Sequence, residues 1–229
     1  MQEKEGRMEF FLNSCSIDEI KEIYDWGILD GVTMNPSMLA AQGGDYLATF
    51  GTICRTVPVK IFAQVLSRST SDIVNEARML RSLGENVVVK IHTNIEGVRA
   101  ITRLKSSTDI PVCATAIHSV IEGLAAAKAG ADHVALFLGL LGEADERPVT
   151  ALVRATVEAL SAAGLPTRIM VAGRSLQQIV DGFRVGAHEM TCAYKLWKLF
   201  FANSFTRDRW KAFESDWHAA FGDKTWLSR

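Results

Sequence analysis

Apolar positions in this chain fall into short runs separated by longer amphipathic stretches. The runs Met8–Leu12, Gly31–Met34, Val59–Leu66, Asn86–Ile91, Ile110–Thr115, His133–Leu138, Arg168–Ala172 and Glu189–Cys192 have strand length. Several are continuous rather than alternating, as in strands of a parallel sheet buried on both faces. Between them, apolar residues recur at helical spacing. The first such stretch opens at Ser16-Ile17-Asp18-Glu19 and runs to about Trp26. The next are Tyr46–Arg55, Thr70–Leu83, Ile95–Lys105, His118–Ala129, Val149–Ala163 and Leu176–Val185. Ser16 with Glu19 is a helix-start signature, and Gly130 and Gly186 are helix stops. Eight strand–helix units predict an α/β protein, a single (β/α)8 TIM barrel over residues 8–206. Residues 207–229 read as an additional C-terminal helix and tail. Its stripe Trp210, Phe213, Trp217 and Phe221 suits packing, against the chain's own barrel or against a neighbour. Residues 1–7 read as an N-terminal extension, with Met8 an alternative start. A doubly wound sheet competes, but that fold carries a glycine fingerprint after its first strand. Leu12-Asn13-Ser14-Cys15 is not one.

Composition narrows the classes. A length of 229 residues suits one barrel with a sizeable core. The net charge of -1, with acids and bases interspersed, argues against a nucleic-acid surface. The longest apolar run, Val134–Leu141, is too short to cross a bilayer, so no membrane partner is expected. The charged N-terminus is no signal peptide. Cys15, Cys54, Cys113 and Cys192 lack metal or redox spacing and read as free thiols of a cytoplasmic protein.

In such a barrel the chemistry lies just after the strands, at the C-terminal face. Polar residues converge there: Asn13, Thr33, Asn35, Gln64, Lys90, Thr115 and the turn Gly173-Arg174-Ser175. Taken singly, each is as well explained as a turn or cap residue. Lys90 stands out, because it ends the run Asn86-Val87-Val88-Val89-Lys90-Ile91. If buried, its pKa falls, and a neutral amine attacks carbonyls to form Schiff bases. If it lies at the strand tip, it snorkels to water.

The blocks Gly31-Val32-Thr33-Met34-Asn35-Pro36-Ser37, Phe62-Ala63-Gln64-Val65, Val88-Val89-Lys90 and Ala114-Thr115-Ala116 resemble the small transaldolase and fructose-6-phosphate aldolase family. Phe213-Glu214-Ser215-Asp216-Trp217 and Ala220-Phe221-Gly222 resemble its C-terminal helix. The resemblance implies class I aldol chemistry without a cofactor or metal. Lys90 forms a Schiff base with C2 of a ketose. Gln64 and Thr115 position a catalytic water, and Asn35 binds a hydroxyl of the dihydroxyacetone unit. Thr33 lines the substrate site.

Three departures from the family are visible. Asn13 stands where the family has an aspartate, and an amide cannot act as a carboxylate base. Phe137 stands where members that release free dihydroxyacetone have tyrosine, which favours transfer to an acceptor; it is equally a plain packed strand residue. The phosphate-holding positions read Leu140 and Gly173-Arg174-Ser175, with the basic and hydroxyl residues rearranged. Glycine admits close backbone approach, arginine supplies a forked cation, and Ser175 opens a helix whose free N–H groups attract an anion. A sulfonate monoanion suits that lower positive charge. The resemblance then implies the sulfofructose transaldolase branch. The donor is 6-deoxy-6-sulfofructose, the released aldehyde sulfolactaldehyde, and the acceptor glyceraldehyde 3-phosphate, giving fructose 6-phosphate.

Rival readings are an ordinary transaldolase or fructose-6-phosphate aldolase on phosphorylated sugars, and a non-catalytic sugar-binding relative. A metal-dependent aldolase is disfavoured, because His92, His118, His133, His188 and His218 show no paired-ligand spacing. The expected partners are a sugar donor and an aldehyde acceptor. The resemblance also implies a homo-oligomer, with a decamer of two pentameric rings as the expected form.

Overall fold

The computed structural model describes residues 8–137 and 149–228. Eight parallel strands close into a barrel in sequence order. They are β1 (Glu9–Asn13), β2 (Gly31–Thr33), β3 (Lys60–Gln64), β4 (Val87–His92), β5 (Val112–Ile117), β6 (His133–Phe137), β7 (Arg168–Ala172) and β8 (Glu189–Ala193). The helices are α1 (Ile17–Asp25), α2 (Pro36–Gln42), α3 (Tyr46–Thr56), α4 (Thr70–Ser82), α5 (Ile95–Ser107), α6 (Val120–Lys128), α7 (Val149–Ala162), α8 (Leu176–Arg184), α9 (Tyr194–Trp197) and α10 (Ser204–Phe221). The expected (β/α)8 barrel with a C-terminal helix is the observed architecture.

Side-chain caps start most of the helices. Ser16, Asn35, Asp45, Ser69, Asn94, Ser119 and Ser175 each accept a backbone N–H of the first turn. Ser119 and Glu122 form a reciprocal capping box. One helix, α2, was not anticipated. It opens with Pro36 at its first position after the cap Asn35 and runs only seven residues. α9 is a single turn following β8.

Strand alternation sorts the barrel interior into layers. Phe11, Phe62, Val88, Cys113, Ala135 and Met170 form a middle layer separate from the main core. Phe11 and Phe62 pack at 5.0 Å between ring centroids. Beneath it, at the strand starts, is a charged plug. Glu189 is fully buried, 2.9 Å from His133 Nδ1 and 2.5 Å from Arg168 Nε. Glu9 pairs with Lys60 at 3.1 Å and with Arg168 at 3.6 Å. Burial opposes the charge on Glu189, but His133 and Arg168 overrule it and hold the carboxyl down at about 2. This plug closes the N-terminal end, so the open end of the barrel is the C-terminal one. The larger core lies between the strands and the helix ring, including Ile20, Ile53, Ile73, Ile101, Val153 and Ile179.

The C-terminal helix starts at Ser204, ahead of the expected Arg207, because Asn203 accepts from the N–H groups of Phe205 and Thr206. None of its residues is buried. The aromatic stripe therefore does not pack on the chain's own barrel. Trp217 instead stacks with Phe221 and Trp226, and its Nε1 donates to Lys224 O. Trp210, Phe213 and Phe221 stay more than half exposed.

Candidate active site

The top layer of inward-facing residues lines a cavity of about 360 Å³ at the C-terminal mouth. Its walls include Asn13, Thr33, Asn35, Gln64, Lys90, Thr115, His118, Ala135, Phe137, Ala172 and Thr191. Small residues in β6 and β7, Ala135 and Ala172, leave the space that larger side chains would fill. A hollow of similar volume lies outside the barrel between α2, α3 and α4, but its lining is mostly apolar and holds no nucleophile.

Lys90 forms the floor. It is 9 % exposed, so it does not snorkel to water. Register places it beside Gln64 on β3 and Cys113 on β5. Its Nζ donates to Met34 O at 3.4 Å, and among the described residues no carboxylate pairs with it. Burial pulls its pKa below the ordinary lysine value, opposed weakly by Cys113. Burial likewise pushes the Cys113 thiol up to about 12. The strand-tip reading of Lys90 gives way to the desolvated one, the state in which an amine is nucleophilic.

One wall is a hydrogen-bonded strip across β1, β2 and β8. The Thr33 hydroxyl donates to Asn13 Oδ1 at 3.2 Å and lies 2.5 Å from Thr191 Oγ1. With the Thr33 proton committed to Asn13, Thr191 donates in the second bond. Asn13 keeps its amide donors for a ligand. Asn35 Oδ1 is occupied as the α2 cap, accepting from Met38 N at 3.0 Å, which leaves its NH₂ as the group available to substrate.

The opposite wall comes from β5 and β6. Thr115 is 6 % exposed, on a strand with a register shift between Ala114 and Ile117. Ala116 there has φ 61°, the one left-handed non-glycine among the described residues. Such a bulge re-aims neighbouring side chains. Phe137 ends β6, and the His118 ring meets it edge-on at 5.8 Å. His118 Nε2 is buried without a hydrogen-bond partner among the described residues.

The structure thus brings together Asn13, Thr33, Asn35, Gln64, Lys90, Thr115 and Phe137. Gly173, Arg174 and Ser175 are not in the lining of this cavity. Gly173 packs tightly, since a Cβ there would meet Ile179 at 2.8 Å. The Arg174 N–H donates to Gln178 Oε1 at 2.8 Å, and the Ser175 hydroxyl caps α8 by accepting from Gln178 N at 3.2 Å. The first N–H groups of α8 are therefore partly satisfied by the chain itself, which weakens the expected helix-terminus anion site. Leu140 lies outside the described residues. Sequence reasoning missed Thr191 and His118. The alternation Glu189, Thr191 along β8 was a usable signal for the first; His118 read as a helix-start residue. Among the described residues no cluster of His, Cys, Asp or Glu is placed to hold a metal ion, and no helix is long and apolar enough to cross a membrane.

A similar fold occurs in the structure of the carboxyl transferase domain from Rhizobium etli pyruvate carboxylase with 3-bromopyruvate. The TM-score is 0.63 at 10 % identity, over 83 % of this chain and 40 % of that one, a likeness of fold alone. Sequence comparison goes further. A probable transaldolase of Symbiobacterium thermophilum is 34 % identical over 94 % of this chain and 99 % of its own length. A probable transaldolase of Desulfosudis oleivorans is 34 % identical over 93 % and 99 %, and one of Methanococcus maripaludis 34 % over 93 % and 98 %. The sequence model described as Transaldolase/Fructose-6-phosphate aldolase matches residues 10–224, the barrel and its C-terminal helix together. With a buried lysine at the floor of a polar barrel mouth and relatives matched over nearly their whole length, this chain belongs to the transaldolase/fructose-6-phosphate aldolase family, as an enzyme of the transferase kind.

Proposed function

We propose that the enzyme is a class I transaldolase in which Lys90 forms a Schiff base with C2 of a ketose. The observation that carries this reading is a buried lysine, without a carboxylate partner among the described residues, set among polar residues from five strands. A protonated imine is an electron sink, so C3–C4 cleavage leaves a dihydroxyacetone unit as an enamine. Thr115 and Gln64 hold the water that carries protons near the imine, while Asn13, Thr33 and Asn35 bind hydroxyls. Phe137 offers no phenol to protonate the enamine, which favours passing the unit to an aldehyde over releasing it.

The donor carries an anionic terminus, and 6-deoxy-6-sulfofructose is the form favoured here, with glyceraldehyde 3-phosphate as acceptor and fructose 6-phosphate as product. What supports it is the turn after β7. Ser175 is engaged as a helix cap there, and Arg174 is the cation beside it. A sulfonate monoanion demands less positive charge than a phosphate dianion. A second reading, action on phosphorylated sugars, is supported by the family description, which names fructose 6-phosphate. The exposed aromatic stripe of α10 supports a homo-oligomer in which that helix covers a neighbour.

Intact-mass measurement after borohydride reduction, with each donor supplied separately, tests the reading. The expected result is an adduct on Lys90, formed more with sulfofructose than with fructose 6-phosphate. Equal or stronger trapping with fructose 6-phosphate moves the donor to the phosphorylated class. No adduct with either rejects the Lys90 chemistry and leaves a sugar-binding relative.

A further inference from the structure

The described lining of the mouth contains two titratable side chains, Lys90 and His118. His118 Nε2 is also the one buried side-chain nitrogen or oxygen among the described residues that lacks a hydrogen-bond partner. Leaving such an atom unsatisfied is costly, and among the described residues no side-chain hydrogen bond commits the imidazole in this wall to a structural partner. The residue is held from two sides. Its backbone N–H donates to Glu122 Oε2 at 2.9 Å, the carboxylate that also closes the α6 capping box. Its ring lies edge-on against Phe137 at 67° between planes.

Cleaving a C3–C4 bond requires a group that takes the proton of the C4 hydroxyl. Lys90 is unsuited, because its nitrogen is engaged in the imine. The amides of Asn13, Asn35 and Gln64 do not accept protons, and the hydroxyls of Thr33, Thr115 and Thr191 are very weak bases. No carboxylate belongs to the described lining. A neutral imidazole accepts a proton at one ring nitrogen and can return it, so it serves both directions of transfer.

Building on the Schiff-base reading above, we propose that His118 is the catalytic base and acid at the donor's C4 hydroxyl. The neutral imidazole takes the hydroxyl proton as the C3–C4 bond breaks. The bonding pair moves into the C2–C3 enamine with the iminium nitrogen as its sink, and C4 leaves as the aldehyde carbonyl carbon. In the second half, enamine C3 attacks the acceptor's carbonyl carbon, and the imidazolium returns its proton to the oxygen that becomes the new hydroxyl. His118 ends as it began, and no further reactant is consumed. Thr115 and Gln64 keep the separate task of moving protons at the imine.

Dihydroxyacetone separates the two tasks, because it forms the enamine but has no C4. Two rates are compared in wild type, His118→Phe and His118→Gln. One is aldehyde release from whichever of fructose 6-phosphate and sulfofructose the wild type turns over. The other is exchange of the carbon-bound protons of dihydroxyacetone for deuterium, followed by NMR. Phenylalanine keeps the ring against Phe137; glutamine keeps a polar group that cannot carry the proton. The expected result is a fall in aldehyde release of roughly 10²–10⁴-fold in both variants, with exchange kept within about threefold. Aldehyde release within threefold of wild type in His118→Phe overturns the assignment. So does loss of exchange together with cleavage, which places His118 at the imine or in the cavity's shape. Recovery of cleavage by glutamine reduces the role to hydrogen bonding and also overturns it. Wild type that shows neither turnover nor exchange rejects the Schiff-base reading itself, and His118 with it, a result distinct from the other three.

Discussion

Replacing Lys90 with methionine should abolish turnover and make the protein more stable. Lys90 is 9 % exposed, and its one hydrogen bond among the described residues is a 3.4 Å contact to Met34 O. A buried donor left largely unsatisfied costs about 1–3 kcal/mol. Methionine has similar length, no polar demand and enough flexibility to fill the same space. A gain of about 2 kcal/mol at pH 7 is expected, which raises the midpoint of a chain this size by about 4–8 °C. The gain also has a defined pH dependence. Burial lowers the folded pKa of Lys90 below its ordinary value, so between the two the unfolded chain binds more protons than the folded one. Wild-type stability therefore rises with pH across that window. The part of this cost that comes from the charge is full below the folded pKa and disappears above the unfolded pKa of about 10.4. The advantage of Lys90→Met is accordingly largest below the folded pKa and shrinks as pH approaches the unfolded value. Urea unfolding followed by circular dichroism, at matched protein concentration and at several pH values, measures it. An unchanged or lowered stability at pH 7, or an advantage that ignores pH, would falsify the idea that Lys90 is desolvated. The basis for its nucleophilicity would go with it.

Other consequences concern the plug, the thiols and the last helix. Glu189→Gln leaves His133 and Arg168 facing a neutral amide in a buried site, so it should cost about 3–5 kcal/mol, read as a shift in urea midpoint; a shift below 1 kcal/mol removes the plug from the stability argument. Because the Glu189 carboxyl is held down at about 2, its contribution is complete above its unfolded pKa of about 4.3 and is lost as pH falls toward 2. Glu189→Gln should therefore flatten the acid limb of the stability curve. All four cysteines are buried, with burial pushing Cys15 and Cys54 up to about 11 and Cys113 and Cys192 up to about 12. Native protein at pH 8 should resist thiol reagents until denaturant is added, and rapid labelling without denaturant contradicts that packing. The pair Trp210→Glu and Phe213→Glu puts charge on the exposed stripe of α10. Light scattering should report a smaller species of unchanged circular dichroism, and an unaltered mass means the stripe is not an interface.

The sequence by itself determined the barrel, because a repeating alternation of apolar runs and amphipathic stretches admits few architectures. It also located Lys90, Gln64 and Thr115, since strand ends of a barrel all face one way and a lysine closing a valine run is chemically out of place. Other features needed the fold. Whether Lys90 was buried or at a strand tip depended on the depth set by its neighbours Gln64 and Cys113 across the register. Asn35 and Ser175 looked wholly available for ligands, but backbone N–H groups of the helices they start claim their oxygens. Thr191 joins Thr33 only through closure of β8 onto β1, a pairing between residues 158 positions apart. His118 reads as the first residue of a helix. Only the ring of strands puts it against Phe137, in the wall of the substrate cavity. Periodicity and spacing act along the chain and so are legible in it. Burial and hydrogen-bond satisfaction are properties of what surrounds a residue, and distant segments supply those surroundings only when the barrel closes.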